Sequence, residues 1–345
     1  MTLRFGVHID NREPLLRRDY TIVRMVDLAV VAEEAGFDSV WVGDSLLSKP
    51  RVEPLVTLAA MSQRTKRVRL GTSCLLTVAR HPVWLALEWA SLDHLSGGRT
   101  ILGACIGSAG PAVRREIEVA GIPFKERASF FEEGLKILRE LWDQGVTSFK
   151  GRHYNFDSVQ FFTGEEWAPF RPLQDPVPIW IVANPFLLHP KEPAKRVMAK
   201  AANRIVSLGD GWMSCCRSLH PEEIEIGIEV LEAEAARASR CRDDFTVSYQ
   251  VVVSIDPDIH RAQRRMEDYI RRYYPELGSK VPIGEWGPAG DIDLVGAWFE
   301  QFQRAGVEHF ICRFAGGEPE PQIEAMTELI SSLRESGGRN LEQNR

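Results

Sequence analysis

Residues 68–107 read VRLGTSCLLTVARHPVWLALEWASLDHLSGGRTILGACIG, and their reading decides the fold. The spacing predicts a strand over 68–76, a turn at Arg80-His81-Pro82, and then a helix. Ser96-Gly97-Gly98-Arg99 stops the helix, and a second strand follows. One strand–helix–strand unit of this kind is the repeating element of an α/β protein with a parallel sheet.

The alternation continues on both sides. Upstream, a strand is expected over 4–9, a helix over 20–35 ending at Gly36, a strand over 37–42, and a helix over 54–63. Downstream, a helix over 125–143 carries an apolar stripe of Phe130, Phe131, Leu135, Leu138, Leu141 and Trp142. A hairpin-like excursion over 146–162 precedes a fifth strand over 178–183, a helix near 194–202, and a sixth strand within 204–213. Helices over 221–239 and 259–274 bracket a strand over 246–255; a helix over 292–305, a strand over 307–314 and a helix over 321–336 complete the series. Eight strands, each coupled to a helix, predict a single α/β domain spanning 1–345, a (β/α)8 TIM barrel. Its insertions, about 146–176 and 275–289, belong at the C-terminal face, and 337–345 reads as a frayed tail.

Composition narrows the function. The chain has 345 residues, 44% hydrophobic, with a net charge of −6, enough to bury a large core. Its arginine pairs, such as Arg264-Arg265 and Arg271-Arg272, are dispersed and read as solvated surface, so no nucleic-acid partner is expected. No apolar run reaches the roughly eighteen residues of a membrane helix. The chain enters a strand at once, so no signal peptide and a cytoplasmic location are expected. Six cysteines show neither metal-ligand spacing nor a disulfide framework; reduced thiols and no metal site are expected.

The opening stretch also resembles the signature region of the luciferase-like flavin monooxygenases, through Gly71, Thr72, Arg80, Pro82, Ala86, Leu92, Asp93, Ser96, Gly98, Arg99 and Gly103. Weaker likeness continues through Gly121-Ile122-Pro123-Phe124, Tyr154, Gln174, Gly209-Asp210-Gly211-Trp212 and Ala305-Gly306-Val307. The resemblance implies a flavin ring held by Thr72, Ser73 and Cys74, with a non-prolyl cis peptide at Ser73–Cys74. It implies further cofactor contacts from Gly107, Ser108 and Tyr154, and a phosphate site after the fifth strand at Ala183 and Asn184. Pro185 donates no N–H there, which leaves Lys195 or Arg196 as compensating cations.

In a barrel, chemistry sits at the C-terminal ends of the strands. That rule selects His8 and Asp10, Asp44 and Ser45, Ser73 and Cys74, Cys105 to Ser108, Ala183 and Asn184, Trp212 and Arg313, with His8, Asp44 and Ser45 as the catalytic candidates. His8 is open to two readings, a cofactor contact or a hydrogen-bonded core histidine. Asp93 and Arg99 fall at the opposite face and read as a structural pair. Two branches of the resembling family place His after the strand-two acid, where this chain has Ser45, and the sugar-phosphate dehydrogenase branch has Glu where this chain has Ser108. Neither chemistry is expected in its usual form.

The leading expectation is a monooxygenase that uses oxygen and reduced FMN, supplied by a separate flavin reductase, on a small hydrophobic substrate. The alternative is hydride transfer with the deazaflavin coenzyme F420. A catalytically silent flavin-binding or structural subunit is the reading from another class. No GxGxxG fingerprint between a strand and a helix indicates a nicotinamide. The resemblance also implies a homo-oligomer. Aromatics on the two insertions, among them Tyr154, Phe156, Trp167 and Trp286, are expected either to line the mouth or to pack the loops.

Overall fold

The computed structural model describes residues 3–161, 169–184, 191–215, 220–274, 282–316 and 318–343. In chain order the elements are β1 Arg4–His8, α1 Glu13–Leu16, α2 Ile22–Glu34, β2 Ser39–Val42, α3 Pro54–Arg64, β3 Arg69–Thr72, α4 Pro82–Ser96 and β4 Thr100–Ala104. Next come α5 Pro111–Val119, α6 Arg127–Gln144, β5 Val146–Thr147, β6 Val159–Gln160, β7 Ile179–Val182, α7 Lys191–Leu208 and β8 Gly211–Cys215. The chain ends with α8 Pro221–Arg237, β9 Thr246–Ile255, α9 Ile259–Tyr273, β10 Ala289–Gly290, α10 Ile292–Arg304, β11 His309–Phe314 and α11 Glu320–Gln343. The strands β1, β2, β3, β4, β7, β8, β9 and β11 alternate with helices, and the fold class is the expected (β/α)8 TIM barrel. Among the described residues no helix is long and apolar enough to cross a membrane.

The chain forms two compact units. One comprises Met1–Ile9, Leu28–Trp41 and Ala183–Arg345; the other comprises Asp10–Asp27 and Val42–Val182. In the first unit β2, β1, β11, β9 and β8 pair in parallel, and β10 adds a short parallel pairing to β9. Their outer face packs on α10: Phe5 meets Phe299 edge-on at 5.3 Å, and Phe299 meets Phe310 at 4.8 Å. On the opposite face Trp41 Nε1 donates to Ser39 Oγ at 2.7 Å, and that hydroxyl also bonds His309 Nε2. Gly6 lies against this trio, where a Cβ would sit 2.3 Å from Ser39 Oγ. Only glycine fits so close an approach.

In the second unit β3, β4 and β7 pair in parallel, and β5 with β6 forms the expected antiparallel hairpin. The opening stretch is built much as read. Gly97 closes α4 in the left-handed conformation (φ +72°). The predicted strand over 68–76 is shorter, because β3 stops at Thr72 and a 3₁₀ turn follows at Thr77–Ala79. Asp93 and Arg99 are both structural, yet they serve different partners. Buried Asp93 accepts from Thr100 Oγ1 (2.6 Å), Gln174 Nε2 (2.7 Å), Leu173 N (2.8 Å) and Gln174 N (3.0 Å). Arg99 donates to the carbonyls of Ser62, Thr65, Val68 and Ser96.

Further elements depart from the sequence reading. Residues 204–208 belong to α7, and the sixth strand begins only at Gly211. An additional helix, α5, follows β4. The last helix runs to Gln343, past Gly337, where a tail was expected. Within the second insertion, residues 275–281 lie outside the described residues, whereas Trp286 is buried against Tyr269 and Tyr273 as packing.

The Asp93 carboxylate faces four donors and tolerates no donor of its own. Asp93→Asn is expected to lower stability by about 2–4 kcal/mol, because an amide N–H would oppose buried N–H groups. A urea midpoint unchanged from the parent protein would contradict that assignment.

Candidate active site

In the second unit the loop after β2 is held by side chains from three directions. Asn11 Nδ2 donates to the carbonyls of Gly43 and Val52 at 2.7 Å, and Gly43 N donates back to Asn11 Oδ1 at 3.1 Å. Asp44 accepts from Leu76 N at 2.9 Å and from both terminal nitrogens of Arg80, which also reaches Glu53 at 3.2 Å. Ser45 Oγ donates to Glu116 Oε1 at 2.9 Å, and the same oxygen accepts from Leu46 N and Leu47 N. Both sequence-selected residues, Asp44 and Ser45, therefore stand at the expected strand end and are engaged in bracing it. The apolar side chains of Leu46 and Leu47 are left exposed on this loop.

The end of β3 is tied to its neighbours in the same unit. Thr72 Oγ1 donates to Gly103 O at 3.0 Å and accepts from Gly103 N at 3.1 Å. Ser73 N donates to Val42 O at 2.8 Å, and Ser73–Cys74 is a non-prolyl cis peptide, as the resemblance implied. Cys74, Cys105 and Gly107 are half-buried, and Ser108 is exposed. Gly107 has φ +76°, and a Cβ there would press on Val113 at 2.9 Å. The strand ends of this unit thus present small neutral groups: a hydroxyl, thiols and backbone.

Tyr154 is delivered by the hairpin region. Glu133 on α6 accepts from Arg152 N (2.8 Å), His153 N (2.9 Å) and Tyr154 N (3.1 Å). Burial raises the Glu133 pKa, but the three backbone N–H groups outweigh it and hold the carboxyl below its ordinary value. His153 stacks on Phe130 at 3.7 Å, and Tyr154 meets His81 edge-on at 5.7 Å. Burial, with the nearby Glu133 carboxylate, pushes the Tyr154 hydroxyl up to about 12. Tyr154 is therefore a phenol, a hydrogen-bond donor, at any physiological pH.

The first unit contains the other candidates. His8, at the end of β1, is 3% exposed and bonds through Nε2 to Arg313 Nη2 at 2.7 Å. Arg313 Nη1 donates to Tyr274 Oη at 2.7 Å. Ala183 O accepts from Trp212 Nε1 at 2.9 Å, and Asn184 Oδ1 accepts from Ser214 Oγ at 3.3 Å. Residues 185–190, with Pro185, and the side chains of Lys195 and Arg196 lie outside the described residues. Buried Cys312 has its thiol pushed far up by burial; Cys74, Cys105, Cys241 and Cys312 are free thiols.

Sequence reasoning missed Glu116 and Glu133, whose roles come from distant segments. Gly110-Pro111 did carry a signal for α5, since Pro is favoured at the first helical position, and Pro111 occupies it. For Glu133 no local signal exists.

Glu133 holds the hairpin most strongly when ionised, because hydrogen bonds to a carboxylate are stronger than those to a neutral carboxyl. Its pKa is depressed in the folded state, so its stabilising contribution is present above the unfolded value of about 4.3 and is lost as pH falls through the folded value. Glu133→Gln is expected to lower the amide protection factors of Arg152, His153 and Tyr154 at neutral pH, and acid should lower them in the parent protein once the pH dependence of intrinsic exchange is divided out. Unchanged exchange in the variant would show that the hairpin is held by other means.

Comparison with known proteins supplies relatives over the whole length. A family model described as luciferase-like monooxygenase matches residues 3–333. An F420-dependent glucose-6-phosphate dehydrogenase of Amycolatopsis mediterranei (strain U-32) is 29% identical over 343 residues, covering 91% of this chain and 95% of that protein. Among solved structures, an F420-dependent secondary alcohol dehydrogenase in complex with an F420–acetone adduct superposes with a TM-score of 0.77 at 21% identity, covering 96% of this chain and 99% of the other. A monooxygenase from Streptomyces bottropensis superposes equally well, with a TM-score of 0.77 at 21% identity over 94% of this chain and 98% of its own. The two structures support the fold alone.

Proposed function

We propose that this chain, which belongs to the luciferase-like monooxygenase family, is an oxidoreductase that transfers hydride between the deazaflavin coenzyme F420 and a small organic substrate. The observation that carries this reading is the near full-length relationship to an F420-dependent dehydrogenase. It reverses the order of the two expectations from sequence, which put oxygen chemistry on FMN first. On this reading no flavin reductase is needed, because the substrate itself reduces the coenzyme.

The residues of the second unit fit such a group. A flat, largely uncharged ring system calls for neutral walls with a few hydrogen-bonding groups. Ser73, Cys74, Cys105 and the Tyr154 phenol are of that kind, and the nearby carboxylate of Asp44 is neutralised by Arg80. When bound, the coenzyme supplies the ring carbon that gives or takes hydride. The chain's own residues bind, orient and exclude water. Asp44 and Ser45 act in this account as braces that fix the loop after β2, and Tyr154 acts as a donor.

The sugar phosphate of the relative is not carried over to this chain. Ser45 donates to Glu116, so it holds no free lone-pair base in the way His would, and Ser108 bears no carboxyl. Exposed Leu46 and Leu47 favour an apolar alcohol, aldehyde or ketone instead.

The test is cofactor choice. Apo-protein is titrated separately with F420 and FMN, following quenching of cofactor fluorescence. F420 is expected to bind at least about tenfold more tightly, a difference of about 1.4 kcal/mol. Ser73→Asp, which places a charge on the neutral wall, should weaken F420 binding by a similar factor and, because Ser73 is buried, lower the melting temperature as well. Tighter binding of FMN would return the monooxygenase reading to first place.

A further inference from the structure

His8 and Arg313 are neighbours because β1 and β11 pair in parallel with Val7 opposite Cys312, which sets the next residue of each strand side by side. Both point to the sheet face opposite α10, since Phe5 and Phe310, of the other parity, pack on Phe299 of that helix. They occupy the C-terminal ends of their strands, where this fold carries its chemistry. The pair is buried, Arg313 at 2% exposure and His8 at 3%. The C-terminal end of α9 and Trp286 of the second insertion complete the cluster. Arg313 Nη1 donates to Tyr274 Oη, the Tyr273 ring lies 4.9 Å from the guanidinium carbon, and Trp286 packs on Tyr274 at 4.7 Å.

A guanidinium carries donors and no acceptor. Arg313 Nη2, 2.7 Å from His8 Nε2, must therefore be the donor of that bond. Nε2 is then the acceptor nitrogen, and the single ring proton of His8 sits on Nδ1. A doubly protonated ring would set one N–H against another beside a buried cation, opposed by both geometry and charge.

We propose that Arg313, anchored by Tyr274, is a positioning residue that locks His8 in the Nδ1–H form and so removes it as a proton acceptor. In that form the ring proton of His8 stays on Nδ1. The consequence for turnover rests on the hydride-transfer reading: the proton of an alcohol substrate leaves through a group other than His8.

The experiment uses the full chain with 15N-labelled histidine and two-bond 15N–1H correlation spectra at neutral pH, without cofactor. One ring, identified by its loss in His8→Gln, is expected to show a bare Nε2 and a protonated Nδ1. Arg313→Leu should replace that pattern with averaged tautomers, and Arg313→Lys, which keeps a donor, should restore it. If Arg313→Leu does not fold, Tyr274→Phe preserves the aromatic packing and should still mix the tautomers. A proton on Nε2 in the parent protein overturns the proposal, as does an unchanged pattern in whichever of the Leu and Phe variants is read. Because no cofactor is present, failure here is separate from failure to bind F420, which would overturn only the functional reading.

Discussion

The loop after β2 depends on one carboxylate. Asp44 takes two guanidinium contacts from Arg80 and the N–H of Leu76, so the end of β2 and the segment after β3 cannot move independently. Both side chains are largely shielded from water, where an ion pair is screened less than at the surface and breaking it leaves a charge stranded. Glu116 secures the next residues of the same loop. With the loop fixed, the Ser73–Cys74 segment has a firm neighbour, because Ser73 N bonds to Val42 O at the end of β2. Rigid strand ends of this kind suit the proposed hydride transfer, in which the protein would contribute orientation rather than bond chemistry.

The fold was legible wherever local chemistry and tertiary packing agreed. Gly97 ended α4 in the left-handed conformation as a glycine stop should, and the strand at Thr246–Ile255 was read to the residue. The sixth strand was misplaced because Ile205, Val206 and Leu208 form an apolar run that suits a buried strand or a helix face equally. Packing made it helix, and the Gly209-Asp210 break deferred the strand to Gly211. The helix α5 escaped because it is short and polar, with only Glu116 and Ile117 buried.

The candidate site was legible by residue and less so by role. Asp44 and Ser45 could be found from their place after a strand, but their partners lie 36 and 71 residues away. No local pattern announces such a partner, so residues that brace look the same in sequence as residues that react. His8 shows the same limit. Its buried partner Arg313 lies 305 residues along the chain and becomes a neighbour only through β1–β11 pairing, so no local pattern could choose between core histidine and ligand contact.

The choice between flavin and deazaflavin was hidden for a different reason. Both cofactors ask for a neutral ring pocket, so a wall of Thr72, Ser73 and Cys74 would suit either, and the fold is shared by an F420-dependent dehydrogenase and a monooxygenase at equal likeness. The proposal of the deazaflavin leans instead on the whole-chain relationship to an F420-dependent dehydrogenase. The reaction class is most directly tested by reduced F420 bearing deuterium at its hydride-donating carbon, incubated with the protein and a panel of apolar aldehydes and ketones. The account predicts deuterium on carbon in the product alcohol, at a rate indifferent to oxygen. Oxygen-dependent turnover of the same panel with reduced FMN, and no label on carbon from F420, would contradict it.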